Sequence, residues 1–446
     1  MSPEDFGAVG DGEADDTLAI RAAASEGGVI TLTPGATYLL TDRVFLVSGT
    51  RFEGAGEFVA GSDLAWSYVF GFQGNAGVSG AAFDGVTFRK TGWDAGFHWL
   101  RLQNGGFPLA DVEITNCVID HSGVTRGSGD DNWAIQIFDC TGLSIVGNSQ
   151  VGPLQLTGAG ANSVLERFVI TDNVMTSPDN AGISIAIADG GVRRHGIIAR
   201  NTITDVLGVT GLGILVGLDG NGNDRNGTIE NVIISQNEIS LSGNANASAI
   251  FCRMPVGSAS LVRDFQVIGN NGVANQGCLV VQPDGGAVVN EPTGILFGNG
   301  GETMRLWCGQ WLAIGNHSYV VKGTAVKSEV VSGFAVSLVM ASAAAMQGDA
   351  NRLACAFGHD VLPGRTFTAA IGSPTTHYGF WNRASQPCLE RFAAAFRGEL
   401  PTVTWADYSL TEDSARAVIG ALLISLREHD SSRTHWADAR QAFGII

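Results

Sequence analysis

The sequence has few charged residues and very little lysine. Only 15% of its 446 residues are charged, and Lys90, Lys322 and Lys327 are its only lysines, so nearly all the positive charge is arginine. The 43 acidic residues outnumber the 26 basic ones and give a formal net charge of −17. A chain this acidic repels phosphate backbones and anionic headgroups. We therefore expect neither nucleic acid binding nor membrane insertion.

Cysteine is also scarce, and its spacing is uninformative. The seven cysteines are odd in number and form no CxxC pair, so no disulfide framework and no metal site are predicted. No nucleotide-binding or other cofactor motif is present, and no cofactor is expected. The apolar runs are too short for a transmembrane helix. Residues 1–12 lack the features of a secretory signal, so we expect synthesis in a cytoplasm and release by lysis or another export route.

Glycine is abundant, with 61 residues, and short apolar runs recur between the glycines. One pattern repeats along the chain: alternating apolar residues, then an asparagine. Subtracting the residue numbers gives spacings of 32, 25, 28, 36, 33 and 46. The repeated asparagines are Asn116, Asn148, Asn173, Asn201, Asn237, Asn270 and, as a last copy, Asn316.

A repeat of roughly 20–50 residues with variable spacing is typical of a solenoid. Alternate side chains of each strand enter a stacked core, and asparagine tolerates the left-handed backbone of a corner and can stack its amide on the next copy. A second strand follows most copies, for example at 134–138 and 182–187. The sequence predicts an all-β fold, a right-handed single-stranded parallel β-helix over residues 28–340, with the first six asparagines at one corner.

The two ends of the chain differ from this repeat. Residues 1–27 are predicted to form a strand and a capping helix at 17–25, with Asp15 or Asp16 as its N-cap. Beyond residue 340 the strand rhythm stops, and 390–397 and 414–428 show helical spacing. Residues 341–446 are therefore predicted to be a separate, partly helical module with a trimerisation or receptor-binding role.

The N-terminal motif is the most specific in the chain. It reads Asp5-Phe6-Gly7-Ala8-Val9-Gly10-Asp11-Gly12, continues through Asp15-Asp16-Thr17, and is followed by strand-like segments to residue 56. It resembles the start of pectate-lyase-like β-helix proteins, a superfamily of phage tailspikes, polysaccharide lyases, alginate epimerases and some glycoside hydrolases. The resemblance covers residues 5 to about 56 and extends to about 320 through the repeat alone. It implies a capped β-helix and a carbohydrate ligand.

Aspartates that follow the second strands are the first candidates for acid–base chemistry. Asp139, Asp189, Asp219 and Asp284 occupy such positions, and Arg253 replaces the acid in one coil. Stacked carboxylates repel, which raises the pKa of some of them and leaves a general acid beside an ionised partner. We predict Asp189 and Asp219 as catalytic and Arg253 as a cation that binds a uronate or neutralises an acidic neighbour. Asp-Gly turns are the alternative explanation.

Asp130 and Asp131 are a rival catalytic pair. They resemble the paired aspartates of polygalacturonase-type hydrolases, but the Gly-His-Gly segment of those enzymes is absent and only Arg194-His195-Gly196 occurs. Arg193, Arg194 and His195 form a third cluster, predicted to bind substrate because a lyase needs a base and a cation for the uronate. A solvated loop is the alternative for this cluster.

Three functions remain open from the sequence. The first is a phage tailspike or tail-fibre protein, a homotrimer beside other virion tail proteins, that binds capsule or lipopolysaccharide and either does or does not cleave it. The second is an extracellular bacterial polysaccharide lyase or glycoside hydrolase. The third is a virion structural or adhesion protein without catalytic activity. The resemblance and the predicted export route favour the first.

Overall fold

The computed structural model describes most of the chain up to residue 340. The described ranges are 1–61, 68–72, 77–90, 97–102, 109–120, 133–149, 152–157, 163–176, 181–187, 190–206, 211–218, 226–242, 247–255, 257–283, 292–297, 299–306, 310–314, 317–322 and 338–340. The predicted C-terminal module, 341–446, lies outside them. No helix in these ranges has the length and hydrophobicity needed to cross a membrane.

The described elements are one short 3-10 turn, one α-helix and a long series of strands. The N-terminal elements are a 3-10 turn at Pro3–Phe6, β1 (Asp11–Asp15) and α1 (Thr17–Glu26). The next strands are β2 (Val29–Thr31), β3 (Thr37–Leu40), β4 (Val44–Leu46), β5 (Arg51–Glu53), β6 (Glu57–Ala60), β7 (Tyr68–Phe72), β8 (Val78–Ser79), β9 (Ala82–Asp84), β10 (Thr87–Lys90), β11 (His98–Leu102), β12 (Leu109–Thr115) and β13 (Val118–Asp120).

The series continues with strands of similar length. These are β14 (Ile135–Phe138), β15 (Cys140–Val146), β16 (Leu154–Thr157), β17 (Val164–Thr171), β18 (Val174–Thr176), β19 (Ala181–Ile187), β20 (Val192–Ala199), β21 (Thr202–Thr204), β22 (Leu212–Leu218), β23 (Thr228–Ser235) and β24 (Glu238–Ser240). The last are β25 (Ser248–Met254), β26 (Leu261–Arg263), β27 (Phe265–Ile268), β28 (Asn271–Val273), β29 (Gly277–Pro283), β30 (Thr293–Phe297), β31 (Gly300–Leu306), β32 (Gln310–Ile314), β33 (His317–Lys322) and β34 (Leu338–Met340).

The strands stack in three faces, and each strand pairs in parallel with its equivalents in the coils before and after. Face A contains β2, β5, β9, β12, β15, β17, β20, β23, β27, β30 and β32. We number the coils 1 to 11 by these strands, in chain order. Face B contains β3, β6, β10, β13, β18, β21, β24 and β28, and among the described residues of coil 5 only Ser149 bridges to Val118 on this face. Face C contains β4, β7, β11, β14, β16, β19, β22, β25, β29, β31, β33 and β34. This arrangement confirms the predicted parallel β-helix.

The core fills the interior between the three faces with one side chain per coil at each inward position. Ile145, Ile170, Ile198 and Ile234 occupy one such position in successive coils of face A, and all four are fully buried. Aromatic rings fill the core of the first coils, where Phe52, Phe58, Phe70, Phe83 and Phe88 contact one another. Because each rung repeats the same inward pattern, the apolar core is continuous along the solenoid.

A ladder of buried asparagine amides fixes the corner between faces A and B. Each ladder side chain donates from Nδ2 to the Oδ1 of the next ladder asparagine and to a backbone carbonyl of the preceding coil. Asn201, for example, donates to Asn237 Oδ1 and to Ile170 O, both at 2.9 Å. The ladder consists of Asn148, Asn173, Asn201, Asn237, Asn270 and Asn299, all at most 3% exposed.

The predicted corner is therefore correct for five asparagines and wrong for Asn116. Thr115 pairs with Val146, so Asn116 is level with Gly147 and Cys117 is level with Asn148. Asn116 occupies the left-handed position one residue before the ladder, with φ 54°, and its exposed amide donates to Asp84. The sequence pattern also missed Asn299, which receives the hydrogen bonds of Asn270. Asn316 lies outside the described ranges.

The N-terminal motif closes the first end of the solenoid. β1 pairs with β3, and α1 buries Ile20, Ala23 and Ala24 against the core. Asp15 accepts the Thr17 backbone N–H at 3.0 Å, whereas the buried Asp16 carboxylate accepts the N–H groups of Val9 and Gly10. Asp15 therefore holds the start of the helix, and Asp16 holds the preceding turn.

Candidate functional site

The four predicted catalytic aspartates, Asp130, Asp131, Asp189 and Asp219, lie outside the described ranges. Arg253, predicted at the equivalent position in another coil, is described and belongs to the interior of β25. It pairs with Gly217 and Gln282 and lies one residue before the end of β25. Its partner Gly217 precedes Asp219 by two residues in the sequence, so Arg253 is not level with the predicted aspartate position. Arg253 is half-buried on face C.

The Arg193 side chain points into the solenoid and not toward solvent. Its guanidinium is fully buried and donates to Ala186 O, to Ser163 Oγ at 3.1 Å and to Val192 O at 2.9 Å. Desolvation lowers the pKa of Arg193 to about 10, and the charge of Asp139 opposes this shift. A guanidinium that is buried and bonded to carbonyls in this way is a structural clamp, so we remove Arg193 from the proposed substrate-binding set.

Arg194 and His195 lie on the outer surface of face A. Arg194 forms an ion pair with Glu166 of the preceding coil at 2.9 Å. His195 is exposed, adopts a left-handed conformation with φ 55°, and its Nδ1 is 3.4 Å from Asn231 Nδ2. Arg194 and His195 therefore belong to a different face from Arg253.

A strip of polar side chains runs along the outer surface of face C instead. Arg101, Gln136, Gln155 and Ser184 are paired in register in coils 3 to 6. The neighbours of each residue, such as Ile135 and Ile137 around Gln136, are core residues, so the polar side chains face outward. We call these four residues the polar strip.

The polar strip is largely buried and contains a hydrogen-bond acceptor that has no partner among the described residues. Gln136 and Gln155 are only 5% and 7% exposed although they point away from the core. Gln136 Nε2 donates to Gln155 Oε1 at 2.6 Å, while the buried Gln136 Oε1 has no hydrogen-bond partner in the described part of the chain. A buried acceptor without a donor costs roughly 1–3 kcal/mol. A site that lacks a donor in this way suits a ligand that brings one.

Aromatic and cationic groups from coils 1 to 4 lie around the start of the polar strip. Tyr68 lies over Gly71, where any side chain would meet its ring, and the Arg43 guanidinium carbon is 4.2 Å from the ring centroid. The Arg101 guanidinium carbon is 5.7 Å from the centroid of Phe138. The Tyr68–Arg43 stack bounds the strip on the side of the first coils, and Phe138 supports the Arg101 side chain.

Farther along the solenoid, apolar residues occupy the outward position of face C that the polar strip occupies in coils 3 to 6. Ser184 pairs with Leu215, and the next residues in register are Phe251 and Val280. Polar hydrogen-bonding groups are thus concentrated in coils 3 to 6, whereas coils 7 to 9 present apolar side chains. The polar strip lies closer to the N-terminus than the site predicted around Asp189, Asp219 and Arg253, which stays a prediction.

Sequence reasoning missed the polar strip although a signal was present. The three segments Leu100-Arg101-Leu102, Ile135-Gln136-Ile137 and Leu154-Gln155-Leu156 share the order apolar, polar, apolar. In a strand this order puts the polar side chain on the outer surface. The sequence pattern did not identify the strands at 98–102 and 154–157, and without the coil register the three polar residues could not be aligned.

The chain has distant structural relatives. No protein-family model and no curated protein sequence matches it. It is similar to PfbA, a surface adhesin of Streptococcus pneumoniae, with 13% identity and a TM-score of 0.38 over 76% of this chain and 89% of that chain. It is also similar to the A-module of the mannuronan C-5 epimerase AlgE6 of Azotobacter vinelandii, with 16% identity and a TM-score of 0.37 over 74% and 98%.

A third similar structure is a mutant tailspike protein of E. coli bacteriophage HK620 in complex with a hexasaccharide. Its identity is 14% and its TM-score 0.40, over 77% of this chain and 66% of that chain. At such identities the likeness concerns the fold and not the ligand. The fold of the chain itself, established by its strand pairing, is the parallel β-helix that the N-terminal motif implied.

Proposed function

We propose that this chain is a polysaccharide-binding β-helix protein of the tailspike kind, and that the glycan lies along the polar strip of face C. The observation that carries the proposal is the alignment of Arg101, Gln136 and Gln155 on three consecutive coils. Adjacent coils are spaced by about 4.8 Å, so the strip offers planar hydrogen-bonding groups at regular intervals along the solenoid axis. A linear glycan presents hydroxyl groups at regular intervals and can meet several of them at once.

The chemistry of the strip suits sugar hydroxyls. A hydroxyl both donates and accepts, an amide does the same with two different atoms, and a guanidinium only donates. Gln136 Oε1 requires a donor, which a hydroxyl supplies, while Arg101 offers donors to hydroxyl or carboxylate oxygens. Hydrogen bonds to such groups are directional, so they favour one orientation of the bound glycan.

Cleavage of the bound glycan is a further part of the proposal, and Asp130 and Asp131 are its first candidates. They precede Trp133 by three and two residues, and the strand that follows, β14, carries Gln136. Asp189 and Asp219 are the rival pair. An inverting hydrolase needs two carboxyl groups about 6.5–9.5 Å apart. Single Asp→Asn substitutions keep the shape and remove the charge, so they distinguish the pairs by turnover, measured as new reducing ends or absorbance near 235 nm.

The proposed assembly is a homotrimer in a phage tail, beside other virion tail proteins, with residues 341–446 contributing to trimer formation. Cyclic symmetry is common for elongated subunits that present a repeated surface. Light scattering of the full chain after gel filtration measures the mass directly. A monomer at micromolar concentration would contradict the trimer without affecting the proposed glycan site.

Binding to a panel of bacterial capsules and lipopolysaccharides tests the function. Gln136→Met and Gln155→Met replace an amide by an apolar group of similar size and should weaken binding about tenfold each, by the usual worth of a buried hydrogen bond. Gln266→Met makes the same change on the outer surface of face A and should bind like the parent. The proposal fails if the parent binds no glycan in the panel or if all three variants bind equally well.

A further inference from the structure

We infer that the bound polysaccharide is acidic and that Arg101 binds a sugar carboxylate. This inference rests on the proposed function and specifies the substrate class of the same site. It begins with the partners of the arginines. Six of the described arginines form ion pairs with a carboxylate of the chain: Arg21, Arg51, Arg89, Arg194, Arg200 and Arg263.

Arg101 differs from these six. It is half-buried on the outer surface of face C, and no carboxylate among the described residues lies within ion-pairing distance of it. Its described neighbour is the ring of Phe138, which contacts the guanidinium without neutralising it. In a chain with a net charge of −17, a partly desolvated cation that has no carboxylate partner among the described residues suits an external carboxylate.

The geometry of a guanidinium also favours a carboxylate over a hydroxyl. Two parallel N–H donors of an arginine match the two oxygens of a carboxylate, and such charged pairs are roughly twice as strong as neutral hydrogen bonds. Phe138 restricts the Arg101 side chain from one side, which lowers the entropy lost on binding. The next residue along the strip, Gln136, supplies an unpaired acceptor for a hydroxyl of the same or the adjacent sugar.

The experiment compares each acidic polysaccharide with its own neutral form. Polygalacturonate, alginate, hyaluronan and polysialic acid, together with the capsules of the panel above, are tested native and after chemical reduction of their carboxylates to alcohols. Binding of the parent protein is measured against Arg101→Gln, Arg101→Lys and the control Arg200→Gln. Arg200 pairs with Asp172 at a corner outside the proposed site, so its substitution removes the same charge elsewhere.

We expect at least one native acidic glycan to bind at least tenfold more tightly than its reduced form. Arg101→Gln should abolish that preference, Arg101→Lys should retain part of it because the charge remains, and Arg200→Gln should retain all of it. Unchanged melting temperatures exclude unfolding as the cause. Equal binding of native and reduced glycans, or an Arg101→Gln protein with the parent's preference, overturns the inference and leaves the proposed function intact. Absence of binding to every glycan overturns both.

Discussion

Phe168 and Gly196 pair in register on adjacent coils of face A, and the ring of Phe168 occupies the space that a side chain at position 196 would need. A Cβ atom on residue 196 would lie 1.9 Å from Phe168 Cζ. Phe168 is fully buried. The glycine is thus required by the phenylalanine of the preceding coil, since its own backbone is not in the left-handed region.

Gly196→Ala should lower the free energy of unfolding by about 1–3 kcal/mol, the usual cost of overpacking a core. The double variant Phe168→Leu with Gly196→Ala should recover part of this loss, because the smaller side chain leaves room for the methyl group. Urea unfolding of the parent, both single variants and the double variant measures the coupling. Additive effects of the two substitutions would contradict the steric explanation.

Asn201→Ala should destabilise the solenoid by about 3–5 kcal/mol, because Ile170 O, the Asn173 backbone N–H and Asn173 Nδ2 each lose a hydrogen bond inside the protein. The matched control is Asn116→Gly. Asn116 is exposed and occupies a left-handed position that glycine adopts freely, so this change should cost less than about 1 kcal/mol. Denaturant unfolding measures both. Equal losses would contradict the assignment of Asn201, and not Asn116, to the ladder.

Arg193→Met should reduce stability by about 2–5 kcal/mol, because Ala186 O, Ser163 Oγ and Val192 O lose a donor inside the protein. Affinity for a glycan should remain that of the parent at temperatures where the variant is folded. Thermal melting and binding are measured on the same preparations. A loss of affinity with unchanged melting would return Arg193 to the substrate-binding set.

Acid should weaken the contact between coils 2 and 3 on face B. The hydrogen bonds from Arg89 hold the pKa of Glu57 below its ordinary value of 4.5. A carboxyl group whose pKa is lowered on folding stabilises the protein above that ordinary value, and the stabilisation is lost as the pH falls through the folded pKa. Glu57→Gln should therefore melt below the parent at pH 7, with a smaller difference at pH 3. Arg89→Gln should show the same convergence, and a constant difference at both pH values would contradict it.

The fold could be predicted from the sequence because each coil repeats the same constraint. Alternating apolar residues and an asparagine at the corner recur often enough that one misaligned copy, Asn116, did not change the outcome. The misalignment has a physical origin: Asn116 and Asn148 are neighbouring corner positions, one left-handed and one hydrogen-bonded inside, and asparagine suits both. Only the strand register distinguishes them.

The candidate site could be predicted less well, because its residues are neighbours in the structure but are separated in the sequence. Arg101, Gln136 and Gln155 are 35 and 19 residues apart by subtraction, and they align only through strand pairing. Residues that are adjacent in the sequence can also lie on opposite sides of a strand. The sequence suggested that Arg193, Arg194 and His195 form one surface cluster, but strand alternation directs Arg193 inward and Arg194 outward. The orientation follows from the strand boundaries, which the pattern alone did not fix.

The asparagine ladder allows whole coils of this protein to be gained or lost in evolution. Successive ladder residues from Asn148 to Asn299 are 25, 28, 36, 33 and 29 residues apart, yet each makes equivalent hydrogen bonds. Removing residues 202–237 would join Asn201 directly to Glu238 and preserve a ladder running on to Asn270, without removing a residue of the polar strip. Gains and losses of whole coils can thus alter the reach of the solenoid while its corner bonding persists, so the length of the scaffold and the composition of the polar strip are free to evolve separately.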